Sequence, residues 1–227
     1  MAIICREYKL LFVMAPRTAC SATGKVLCEK LGGEYIPSQD IVESDGKFKV
    51  QKKHSTLNEL VDNQLISREE LSDYLKFTCV RNPYDLVVSE YVKRKTTYQP
   101  LLDDPNSWIH KVPGYIDGME FCKNHTFEEW VIYRYQVNSL DRLRGKGHKS
   151  IFNKFTNGVD ELMKFENLQV DFKKILSKAG ISDSINIPLY NKTPEKDKKY
   201  HEYYTKKAKN IVEYAFREEL EKYQYSF

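Results

Sequence analysis

Apolar positions along this 227-residue chain fall into short unbroken runs separated by longer stretches of helical period. Lys9–Ala15 carries one run, Leu10-Leu-Phe-Val-Met14, and Leu75–Val80 a second, Leu-Lys-Phe-Thr-Cys-Val. Such runs mark strands covered on both faces, as in the centre of a parallel sheet. Leu162–Glu166 reads as a third strand, and Glu34–Pro37 and Phe48–Lys52 as shorter extended pieces. Helical patterns lie between them. Ser21–Leu31 is closed by Gly32-Gly33, a common stop. Thr56–Asn63 and Ser67–Tyr74 each open on a hydroxyl residue able to cap a helix. Tyr84–Arg94 follows Pro83, tolerated in a first turn, and Thr126–Tyr135 starts with Thr126 and has Glu129 three residues on. Val170–Ala179 is amphipathic and stops at Gly180. A long charged helix is predicted over Glu195–Tyr223, with Tyr203, Val212, Phe216 and Leu220 on one face. Thr97–Gly118 holds three prolines and reads as loop, and Gly145–Asn157 as polar and turn-rich. Strands alternating with helices predict one α/β domain over residues 1–227, with a central, mainly parallel sheet flanked by helices.

Composition adds limits. Aromatic residues are plentiful (16 Tyr and 11 Phe), enough apolar area to offset chain entropy, so the chain is not a disordered one. The net charge of +4 is mild, and no basic stretch stands out as a nucleic-acid footprint; a small anionic ligand suits it equally well. Cys5, Cys20, Cys28, Cys79 and Cys122 are scattered, with no CxxC pair and no metal-ligand spacing. They read as free thiols in a reducing, cytoplasmic compartment, with no metal site. The N-terminus lacks the basic start and long apolar core of a signal peptide, and no run approaches the roughly 20 apolar residues of a membrane span. The expectation is a soluble protein with neither a membrane nor a nucleic-acid partner.

Two stretches carry the chemistry. In Phe12-Val-Met-Ala-Pro-Arg-Thr-Ala-Cys-Ser-Ala-Thr-Gly-Lys25 a buried strand enters a turn of small and hydroxylated residues, and a helix follows. Backbone N–H groups of such a turn converge on one point, where the helix dipole adds about half a positive charge and Arg17 a full one. That combination binds phosphate or sulfate. In Phe77-Thr-Cys-Val-Arg-Asn-Pro-Tyr-Asp-Leu-Val-Val-Ser-Glu-Tyr91, Arg81 stands at the carboxyl end of a strand and Ser89 eight residues later, inside the next helix. Ligands of open parallel sheets bind at the carboxyl ends of strands, so both arginines are expected on one rim, suited to a ligand with two separated anionic groups.

Taken together, these stretches resemble the sulfotransferases that use 3′-phosphoadenosine-5′-phosphosulfate (PAPS), most closely the carbohydrate-type branch. Pro16-Arg-Thr-Ala-Cys-Ser21 resembles the family's 5′-phosphosulfate loop, and Val80-Arg-Asn-Pro-Tyr-Asp-Leu-Val-Val-Ser-Glu-Tyr91 its 3′-phosphate motif. Lys53-His-Ser-Thr, Phe165-Glu-Asn-Leu-Gln169, Asn191-Lys-Thr193 and the tyrosine-rich tail follow in the family's order. The resemblance implies a P-loop-like three-layer fold and transfer of a sulfuryl group from PAPS to an acceptor hydroxyl, without a metal. It implies Arg17, Thr18, Ala19, Cys20, Ser21 and Ala22 around the 5′-phosphosulfate, and Arg81 and Ser89 on the 3′-phosphate. Lys192 would close over the nucleotide. Arg17 stands where lysine is usual, Cys20 where glycine is usual, and Ala22 at a hydroxyl position, so backbone N–H groups must carry more of the binding.

His54 is the candidate general base, because an imidazole near neutral pH can take the acceptor's proton. Asp117, Glu120 and Glu128 are alternative bases that the sequence does not rank. Trp108, Trp130, Tyr98 and Tyr115 are candidates for stacking on a sugar or on adenine, and Thr97–Gly118 for an acceptor lid. The acceptor is expected to be a glycan or a small alcohol. Two alternatives stand beside this reading. Ala19-Cys-Ser-Ala-Thr-Gly-Lys25 nearly matches a Walker A motif of a kinase or NTPase, but Val26 occupies the position of the metal-binding hydroxyl. The other is a nucleotide-binding relative that has lost its chemistry.

Overall fold

In the computed structural model, which describes residues 2–44, 48–182, 184–188 and 199–227, the apolar run after Lys9 is the second strand of a sheet. The strands in chain order are β1 (Ala2–Cys5), β2 (Leu10–Val13), β3 (Glu34–Ile36), β4 (Ile41–Val42), β5 (Phe48–Val50), β6 (Leu75–Val80) and β7 (Glu161–Lys164). The helices are α1 (Cys20–Leu31), α2 (Leu57–Asp62), α3 (Arg68–Ser72), α4 (Pro83–Lys95), α5 (Tyr115–Asn124), α6 (Phe127–Tyr135), α7 (Ser139–Leu143), α8 (Asn153–Thr156), α9 (Leu168–Lys178), α10 (Lys206–Ala215) and α11 (Arg217–Lys222). The chain divides into two compact units. One comprises Met1–Arg81 with Phe152–Asn191, the other Asn82–Ile151 with Lys192–Phe227.

The first unit holds a sheet in the order β3-β1-β2-β6-β7, while β4 and β5 pair separately. β2, β6 and β7 are mutually parallel, β1 is antiparallel to β2, and β3 is antiparallel to β1. Four of these five strands therefore share one direction. The mainly parallel expectation holds, with β1 as the exception. β1 turns into β2 through Arg6–Lys9, where Lys9 adopts φ +50° and donates its N–H to Arg6 O.

One face of this sheet presents Ile3, Cys5, Leu10, Phe12, Phe77, Cys79 and Met163 to Val26, Leu27 and Leu31 of α1 and to Phe172, Ile175 and Leu176 of α9. Phe12 and Phe77, partners in register, stack at 4.9 Å, an aromatic pair worth about 1 kcal/mol beyond its buried area. Gly24 lets α1 lie close to the sheet, since a Cβ there would stand 2.5 Å from Ile3 Cδ1. Cys79 is fully buried, as expected of a core thiol, and burial pushes its pKa well up.

The second unit is helical. α4, α6 and α10 bury Tyr84, Val88, Trp130, Val131, Val212 and Phe216 together. Two sequence expectations are corrected here. Thr97–Gly118 is largely ordered into short 3-10 turns at Gln99–Asp103 and Trp108–Lys111, and α5 begins at Tyr115. Arg94 explains part of that order: its buried guanidinium donates to Glu90 Oε1 at 2.8 Å and lies 3.8 Å from the Tyr115 ring centre. The charged tail is not one helix. It has a 3-10 turn at Tyr200–Tyr203, then α10 capped by Thr205, then α11 after Phe216, a buried core residue that ends the first helix. Residues 195–198 of that expected helix lie outside the described residues. Among the described residues no helix is long and apolar enough to cross a membrane.

Candidate functional site

The turn between β2 and α1 has an unusual backbone for its composition. Arg17 (φ +67°) and Ala19 (φ +58°) both occupy the left-handed region, which costs a non-glycine residue about 1–2 kcal/mol. Surrounding contacts hold them there. Thr18 is fully buried and its hydroxyl donates to Ala15 O at 2.9 Å. The Thr18 hydroxyl proton is therefore used inside the turn, and what Thr18 offers a ligand is its N–H. Cys20 and Ala22 are core members, so neither offers a side chain, and the Ala22 N–H already donates to Ala19 O at 3.0 Å. Ser21 is half-buried and keeps a hydroxyl near the helix start.

No side chain caps α1 and no acidic residue lies in its first turn. By contrast Thr56, Ser67, Asn82, Thr126, Asn138 and Thr205 each cap the helix that follows them. The first N–H groups of a helix lack intrahelical acceptors, and at α1 they stand beside Arg17 with the positive end of the dipole. An anion satisfies both.

The Walker A reading does not survive the position of its lysine. Gly24-Lys25 lies inside α1 rather than at its start, and Lys25 pairs with Glu29 at 3.6 Å on an exposed face. Val26 is buried against the sheet.

Arg81 follows the last residue of β6. Because β2 and β6 run parallel with Val13 opposite Thr78, the chain after β6 emerges at the same edge as the turn after β2. Thr78 Oγ1 bridges the two strands by donating to Val13 O at 2.7 Å. The Arg81 guanidinium is buried, donates from Nη1 to Arg17 O at 2.9 Å, and lies 4.2 Å from the ring centre of Phe165. Phe165 opens the turn after β7. The turns after three parallel strands thus converge, with residues 17 and 81 in direct contact. The stacking role of Phe165 was not read from the sequence; its place just beyond the third strand of the rim is the signal that would have found it.

His54 is tied to Met14, just before the same turn. It adopts φ +77°, and its Nδ1 lies 2.7 Å from Met14 O. A carbonyl only accepts, so Nδ1 carries the proton and Nε2 the lone pair. Burial pushes the imidazole pKa down to about 4, with the Lys53 and Lys154 charges acting in the same direction. The expectation of an imidazole titrating near neutrality is therefore corrected: His54 is a neutral, Nδ1-protonated ring at neutral pH. It opens on a cleft of about 150 Å³ lined by Phe48, Lys49, Gln51, Glu59 and Lys154. Sequence reading missed Lys49 and Lys154, which carry no local motif.

The other expected residues belong to the second unit or lie outside the described residues. Ser89 belongs to the second unit, buried within α4. Asp117, Glu120 and Glu128 also belong to the second unit, and Glu128 accepts from the Thr205 hydroxyl. Trp130 is core, whereas Trp108 is partly exposed and packs edge-on to Tyr98 and Tyr115. Lys192 lies outside the described residues.

Comparison with known proteins bears on this rim. A model described as "Sulfotransferase family" matches residues 1–226. Two similar curated proteins are carbohydrate sulfotransferase 11 of Mus musculus and of Rattus norvegicus, each 24% identical over 207 residues. The aligned region covers 84% of this chain and 56% of either relative, so the chain spans little more than half their length. No solved structure matches the chain significantly.

Proposed function

The chain belongs to the sulfotransferase family, and we propose that it moves a sulfuryl group from PAPS to a hydroxyl of a carbohydrate or small alcohol. The observation that carries this reading is the uncapped start of α1 with Arg17 beside it and Arg81 bonded to the Arg17 carbonyl. Two cationic side chains and a helix dipole on one rim suit a donor with phosphates at both ends. Such a donor supplies an activated sulfate, whose transfer leaves the 3′,5′-bisphosphate.

The residues take these roles in the proposal. N–H groups of Thr18, Ala19, Cys20 and Ser21, with the Ser21 hydroxyl, hold the 5′-phosphosulfate, and Ala22, whose N–H donates to Ala19 O, lines the turn beside them. Arg17 meets the negative charge that builds where the sulfate bond breaks. Arg81, whose guanidinium has five N–H donors, takes the 3′-phosphate while Phe165 fixes its plane. Ser89 is assigned as a hydroxyl donor to the nucleotide on its eight-residue spacing from Arg81, and Lys192 as a closing lysine on its motif. His54 Nε2 takes the acceptor proton. No residue in this scheme needs a metal. The strand–turn–helix at β2–α1 beside parallel β6 supports a P-loop-like three-layer fold, and a family match over residues 1–226 supports treating both units as one sulfotransferase domain. The names of the similar proteins support a sugar acceptor.

Calorimetry with adenosine 3′,5′-bisphosphate, AMP and ATP tests the donor site. The bisphosphate is expected to bind tightest. Arg81→Ala should weaken it by about tenfold to a hundredfold, the range for losing a charge-assisted phosphate contact, while AMP affinity changes little. Equal loss for AMP and bisphosphate would remove the 3′-phosphate role from Arg81.

A further inference from the structure

One basic segment of this chain also carries exposed apolar side chains. Residues 134–149 contain Arg134, Arg142, Arg144, Lys146 and Lys149 against a single acid, Asp141, a local excess of +4. All five basic residues are exposed. Within the segment α7 carries Leu140 and Leu143, three residues apart and so on one helix face. Their exposures, 66% and 85%, exceed those of the other exposed large apolar residues, Val42, Trp108, Tyr133, Leu162 and Val170.

The segment is braced from below. The Tyr214 hydroxyl sits 3.0 Å from Arg142 O and 2.9 Å from Lys146 O, sharing its proton between them. Arg142 lies over the Tyr214 ring at 4.1 Å, and Lys149 N–H donates to Ala215 O at 2.7 Å. The segment is thus braced on α10, and Leu140, Leu143 and Arg144, at spacings of three and four, lie on one side of α7. The proposed scheme assigns no role to it.

We propose that this face docks on an anionic lipid surface, the leucines entering the headgroup region and the basic residues meeting lipid phosphates and carboxylates. The charge selects the occupant. A second copy of the chain would set one +4 segment against another, which opposes association. An acidic polymer would satisfy the arginines and lysines but would leave both leucines in water. An anionic bilayer takes both, because buried apolar area and attraction to acidic headgroups add.

The test uses the full chain in co-sedimentation with vesicles of phosphatidylcholine alone and with about a third phosphatidylserine, in about 0.1 M salt. The protein should pellet with the mixed vesicles and not with the neutral ones. Leu140→Ser with Leu143→Ser should lower partitioning by at least about tenfold, and Arg134→Glu with Arg144→Glu should abolish it, both with unchanged circular dichroism. Failure to pellet with mixed vesicles overturns the proposal. So does a double-serine variant that pellets like the parent, which would mark a general polyanion site, or a dimer in sedimentation velocity that the same variant dissolves.

Discussion

A neutral histidine whose Nδ1 proton is fixed on a carbonyl has its lone pair on the other nitrogen at every pH above its pKa. For His54 that range starts near 4. The kcat/KM profile reports the free enzyme, so its acid limb should lie near 4 and activity at pH 5.5 should nearly match that at 7. A pH–rate series measures this, and an acid limb centred near 6.5 would show that the ring is not shielded as the geometry implies. The same ring makes stability depend on pH. Its folded pKa is below the ordinary imidazole value of about 6.5, so between 6.5 and 4 the unfolded chain binds the extra proton. Stability is therefore whole above 6.5 and falls as pH drops, by up to about 3 kcal/mol. His54→Gln should remove that fall in urea titrations at pH 7 and pH 4.5, and should slow turnover with bisphosphate affinity intact. The sequence showed the residue and its role as a candidate. It did not show the lowered pKa, which comes from burial of the ring, nor the tautomer, which is set by a contact with Met14, forty residues away.

At the scale of elements, the turn that carries His54 is held by α2. Ser55 is fully buried and donates to Gln51 O, and Thr56 and Glu59 form a reciprocal capping box. Thr56→Ala removes the cap and should cost about 1 kcal/mol in urea unfolding. Because the histidine two residues earlier is held at a positive φ, kcat should fall as well, with the affinity for bisphosphate unchanged. Thr56→Ser should restore both. Loss of stability with no change in kcat would separate α2 from the site. Caps of this kind were the most legible part of the sequence: Thr56, Ser67 and Thr126 cap the helices expected of them. α5 was hidden by Gly114 and Gly118, which read as loop, although Gly118 only makes room for Arg94 Nη1, 2.6 Å from where its Cβ would be. β1 was hidden by its four residues, too few for a period, and by an antiparallel pairing that no local signal announces.

At the scale of the whole molecule, the parallel core was legible because β2, β6 and β7 each end in a motif, and parallel strands bring such ends to one edge. What composition did not show was the division into two units, with Arg17, His54 and Arg81 all in the first. That grouping sets the expected response of the folded protein to the proposed nucleotide. A ligand that binds only the native state at a hundred times its Kd adds about 2.7 kcal/mol, and for a chain of this size each kcal/mol moves Tm by about 2–4 °C. Adenosine 3′,5′-bisphosphate at that excess should raise Tm by about 5–10 °C in differential scanning calorimetry. Arg17→Ala and Arg81→Ala should each lose most of the shift at the same ligand concentration, since in the proposed scheme one removes charge at the 5′ end and the other at the 3′ end. If the two units melt separately, the upward shift belongs to the transition of the first. A bisphosphate that leaves Tm unmoved, or a shift that survives both substitutions, places the nucleotide somewhere other than the rim formed by residues 17 and 81.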